Sequence, residues 1–166
     1  MTEKNWEDKI RKIKEETDQE IKENRLAEQR LREKYKDEKT KIIEMLRSEL
    51  GVVVKVFKRP SGKYYEQPSL EVADWGASLK VPIVGAGPTV NIGITFSFQF
   101  GDDGYGLKVV KGTYDAVSQK SDEINGEIPP PVTAAAVQKQ VTVFLETRKA
   151  CIKRMEEEAQ RLQREW

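Results

Sequence analysis

Glycine and proline are absent from the first fifty residues, and all 11 glycines and all 7 prolines fall between Gly51 and Pro131. These two residue types are the least compatible with a helix interior. Their partition divides the chain into a helical segment at 1–50, a turn-rich segment at 51–130 and a second helical segment at 131–166. An α+β chain is the expectation, with helices at both ends and strands between them.

The first segment carries 14 basic and 14 acidic residues. Nearly all of its residues are good helix formers. Acid-before-base pairs four residues apart, such as Glu7 with Arg11 and Glu28 with Arg32, add support in the favourable orientation. Gly51 reads as a C-terminal stop. The apolar positions are sparse: Trp6, Ile10, Ile13, Ile21, Leu31, Tyr35, Ile42, Ile43, Leu46 and Leu50. The pairs Ile10/Ile21, Leu31/Ile42 and Tyr35/Leu46 share a spacing of 11 residues, which favours a nearly straight seam over a strict heptad. Asn24 either sets register on that seam or lies off it.

In the last segment, Pro129-Pro130-Pro131 makes a rigid approach and Thr133 is a candidate N-cap. Val141, Leu145, Arg148, Ile152, Met155, Ala159, Leu162 and Trp166 follow heptad spacing. Cys151 beside them is the only cysteine, so no intrachain disulfide can form. It reads as a small buried apolar residue.

The middle segment reads as an antiparallel sheet of about five strands. Val52 to Phe57 is a β-branched run, and Lys63-Tyr64-Tyr65 would return from a turn at Arg59–Gly62. Trp75, Ala77, Leu79, Val81 and Ile83 alternate with smaller or more polar residues, and Gly85–Pro88 reads as a loop. Val90, Ile92, Ile94, Phe96, Phe98 and Phe100 alternate without a break with Asn91, Gly93, Thr95, Ser97 and Gln99. Gly101–Gly104 is a hairpin turn, after which Tyr105, Leu107 and Val109 continue the pattern. Residues 113–127 read as a short helix or a loop.

A helix with a narrow apolar stripe needs a partner. The simplest arrangement pairs the two terminal helices as an antiparallel coiled-coil hairpin with the β unit inserted at its tip. Leu46 would then face Ala136, Tyr35 would lie near Thr147 and Arg148, and Leu31 near Cys151 and Ile152. That register leaves Trp6, Ile10 and Ile13 beyond the end of the second helix. They are either a frayed, solvated end or a contact site for another chain, and an exposed aromatic favours contact.

The order helix–β–helix resembles prefoldin, whose subunits join long antiparallel coiled coils to a β body. It also resembles the Gam-type phage nuclease inhibitors, which dimerise and bind DNA ends. The resemblance rests on element order, and no functional residue follows from it.

The chain has no histidine, which removes the commonest general base and metal ligand. The glycines at 85 and 87 do not form a phosphate loop, and Asp102-Asp103 lacks the spacing of a calcium loop. No catalytic residue set, cofactor or metal is expected. The net charge is +1 and acidic residues interleave with the basic clusters, so nucleic acid is a disfavoured partner. The N-terminus lacks the apolar run of a secretory signal, so a cytoplasmic location is the expectation. The expected role is a non-enzymatic oligomeric scaffold or interaction module, with the β unit for docking and a coiled-coil arm for reach or clasping. Its expected contact residues are Trp6, Ile10 and Ile13 on the helix, and Val90, Ile92, Ile94, Phe96, Phe98 and Phe100 on the strand. Two alternatives are a nucleic-acid-binding coiled coil and a membrane-active assembly protein. In the latter, residues 90–100 form a strand long enough for one crossing of a barrel.

Overall fold

A computed structural model describes residues 3–84, 90–115 and 120–165, without the side chains of 113–115 and 120–122. The Gly85–Pro88 loop and Trp166 lie outside these residues. The protein is α+β: two N-terminal helices, a five-stranded antiparallel sheet and a C-terminal helix. The chain divides into two compact units, Met1–Asp37 and Glu38–Trp166.

The first unit is essentially α1, Glu3–Lys34, and none of its residues is buried. At 1.5 Å per residue it is about 48 Å long. Arg32 and Glu28 form the expected ion pair, at 2.8 Å, whereas Arg11 meets Asp8 at 3.9 Å. Both pairs are exposed and contribute little to stability. Regular helix stops at Tyr35, although its N–H still donates to the Leu31 carbonyl at 3.2 Å.

The second unit holds all but the first two residues of α2, Lys36–Phe57. This corrects two expectations. Gly51 does not stop the helix, and Val52 to Phe57 is not a strand. Ile42, Leu46, Leu50 and Val53 are buried along one helical stripe. Helical spacing keeps Val53 inside and Lys55 outside, whereas a strand would put both on the same face. Each valine costs the helix roughly 0.5–0.7 kcal/mol in propensity. Burying Val53 on the α2 stripe returns about 1.5–3 kcal/mol.

The sheet is a meander in the order β1-β2-β3-β4-β5. Its strands are β1 Ser69–Ala73, β2 Gly76–Ile83, β3 Val90–Gly101, β4 Gly104–Asp115 and β5 Lys120–Ile128. Lys63–Tyr65 is not a strand either; Tyr64–Glu66 is a single 3-10 turn. Residues 120–128 are strand rather than helix or loop, because β4 offers them a free edge over nine paired positions. The tight β1–β2 turn places Gly76 at φ +140°, and a Cβ there would sit 1.8 Å from the Phe96 carbonyl oxygen. Only glycine fits this position. Gly104, at φ +106° (Gly104 pairs with Gly101), closes the β3–β4 hairpin that the sequence announces.

One face of the sheet carries Ala77, Leu79, Val81 and Ile83 from β2, and Val90, Ile92, Ile94 and Phe96 from β3. Leu107 and Val109 of β4 and Ile128 of β5 complete it, and all of these are buried. They pack with the stripe of α2 and with Val137, Val141 and Phe144 of α3, Ala134–Arg164. Thr133 caps α3 as expected, its hydroxyl accepting from the Ala136 N–H at 3.2 Å. The other face of β3 shows Asn91, Gly93, Thr95, Ser97 and Gln99, polar or small and none buried.

α2 and α3 run in the same direction. Gln138 Nε2 donates to Glu49 Oε2 at 2.9 Å, and the Arg148 guanidinium lies 5.0 Å from the centre of the Phe57 ring. Later residues of one helix thus meet later residues of the other. The antiparallel register expected between α2 and the last segment requires the opposite order. The physical reason is strand parity. Five antiparallel strands carry the chain from the end of α2 to the opposite end of the sheet, so α3 starts where α2 started. Lys39 near the start of α2 lies over Tyr105, and the start of α3 follows Ile128, which pairs with Leu107.

Candidate functional site

The expected contact residues separate into two groups. Trp6, Ile10 and Ile13 are all exposed on α1, Trp6 at 59%. Steps of four and three residues place them on one helical face, and Ile21, also exposed, extends it. No described residue of this chain buries any of them.

On β3, Val90, Ile92, Ile94 and Phe96 are buried inside the second unit. In this chain they form the core beneath α2 and α3. Phe98 and Phe100 are half-buried at the hairpin end. Both pack on Tyr105, with ring centres 5.4 and 4.8 Å from it. The Lys39 ammonium lies 5.3 Å from the Phe98 centroid, a cation–π contact that covers part of this cluster.

Two cations lie within the α3–sheet interface. Lys111 of β4 occupies the inward position after Tyr105, Leu107 and Val109, and is only 7% exposed. Its neighbours across the sheet are Ile94 and Ile124. Its ammonium donates to Gln140 Oε1 of α3 at 2.6 Å, and burial holds its pKa below the usual lysine value. The second cation, Arg148, is half-buried. Its Nη2 donates to the Pro82 carbonyl at 3.2 Å, while its Nε is buried without a hydrogen-bond partner. Desolvation lowers its pKa as well.

The signal for Lys111 was present in the sequence. The β4 alternation, extended by one step, puts a lysine where a core residue belongs. Cys151 is half-buried and free rather than fully enclosed. Among the described residues, no helix is long and apolar enough to cross a membrane. No family model, curated protein or solved structure matches this chain.

Proposed function

We propose that this chain is a non-enzymatic assembly module that joins copies of itself through α1. The observation that carries this reading is a helix of 32 residues with no buried residue and a face of Trp6, Ile10, Ile13 and Ile21. In folded proteins most helical stability comes from packing an apolar face rather than from intrinsic propensity, and this face has no cover among the described residues. Burying each of these side chains against a second helix is worth about 1.5–3 kcal/mol. Balanced charge along the segment suits a coiled-coil surface around the seam. The chain's lack of histidine agrees with a role other than general acid–base catalysis.

Light-scattering mass after size exclusion, in low and high salt, tests the reading. The expected result is an oligomer that persists in high salt, because its contacts are apolar. Replacing Trp6, Ile10 and Ile13 together by glutamate should yield a folded monomer. A monomeric wild-type chain would overturn the proposal, as would a triple variant that keeps the full oligomeric mass.

A further inference from the structure

Lysine is almost never fully buried unless it is paired. An ammonium offers three donors, and one neutral amide oxygen leaves most of its desolvation cost uncompensated. Lys111 has that arrangement: Gln140 Oε1 is its hydrogen-bond partner, and it makes no salt bridge with any described residue. A methionine would continue the core of β4 without this cost, so the lysine calls for an explanation beyond packing.

The space beside it supplies one. A cavity of about 270 Å³ opens between α3 and the sheet. Its lining among the described residues includes Lys111, the apolar side chains of Ile92, Ile124 and Phe144, the hydroxyl-bearing Thr147, and Arg154. No described lining residue is acidic. The site therefore combines apolar walls, a buried cation and a second, exposed cation.

We propose that this cavity binds a small apolar carboxylic acid as its anion, with the carboxylate paired to Lys111 and the hydrocarbon against Ile92, Ile124 and Phe144. A hydrophilic anion such as phosphate leaves these walls unmatched. A neutral apolar molecule leaves the ammonium with the Gln140 amide oxygen but no opposite charge, and a buried charge left uncompensated is a basis for rejection. The volume is at the small end for ligand pockets, which suits a short aliphatic or single-ring acid. Arg154 adds favourable potential for an approaching anion.

Isothermal titration of the full chain with hexanoate and with benzoate tests the site, with hexanamide and inorganic phosphate as controls. At least one carboxylate should bind saturably at one site per chain, and hexanamide and phosphate at least about tenfold more weakly. Lys111→Met should lose at least about tenfold in affinity while remaining folded by circular dichroism. Should that variant fail to fold, Arg154→Glu alters an exposed side chain and should weaken carboxylate binding several-fold. The proposal is overturned if neither acid binds saturably, or if hexanamide or phosphate binds as well as the acids do. It is equally overturned if affinity survives in the folded Lys111→Met protein, or in Arg154→Glu where that variant is the one used.

Discussion

Gly51 offers the sharpest test of how this chain folds, because two readings of it predict opposite signs. As a helix stop, it would occupy the left-handed region, and alanine there would be strained by about 1–2 kcal/mol. In the structure it lies inside α2, six residues before its end, and a Cβ built on it meets nothing within 4 Å. Glycine inside a helix costs roughly 0.8–1.0 kcal/mol relative to alanine. Part of that cost reflects the greater freedom of glycine in the unfolded chain. Gly51→Ala should therefore stabilise the protein by about 1 kcal/mol and raise the melting temperature by about 2–4 °C for a chain of this size. The assay is urea unfolding followed by helical circular dichroism, with thermal melts at matched protein concentration because oligomers melt in a concentration-dependent way. A destabilised Gly51→Ala variant would refute a continuous α2 and restore a helix end at this position.

The core makes a second prediction. Phe96 is fully buried on β3 beneath the helices, so Phe96→Ala should cost about 3–5 kcal/mol, read from the urea midpoint. A change below about 1 kcal/mol would mean that this face of β3 is not packed in the folded chain. Lys111 makes a third, with a sign opposite to that of a paired lysine. Its folded pKa lies below the free value of 10.5, so the unfolded state binds more protons between those two values. Stability should be constant below the folded pKa, rise with pH through that window and level off above 10.5. Lys111→Met should be more stable at neutral pH and lose this rise, as seen by urea unfolding across alkaline pH; an unchanged slope would show that other groups produce it.

Much of the fold was legible because periodicity is a local property. The unbroken alternation from Val90 to Phe100 marks β3, Gly101–Gly104 marks its turn, and Thr133 marks the start of α3. The errors fell where a long-range contact outweighs local preference. Val52 to Phe57 has strand propensity, yet Val53 continues the stripe of Leu46 and Leu50, and Phe57 receives Arg148 of α3. Lys120 to Ile128 has a weak pattern, yet it pairs because β4 would otherwise present an open edge. The exposed face of Trp6, Ile10 and Ile13 was visible in the sequence. The ammonium of Lys111 and the amide of Gln140, 29 residues apart, meet only because α3 folds back over β4.

The sequence by itself determined the α+β class, the central β3–β4 hairpin and the long polar N-terminal helix. These follow from where glycine and proline fall and from the spacing of apolar residues, both of which act over a few turns or strands. Direction and partnership were decided only in three dimensions. An odd number of antiparallel strands returns the chain to the end of the sheet where α2 began, so α2 and α3 run parallel rather than as a hairpin. The sheet buries the stripe of α2 and the first half of that of α3, and it encloses a lysine between them, because burial depends on which faces meet and not on the residues of either face alone.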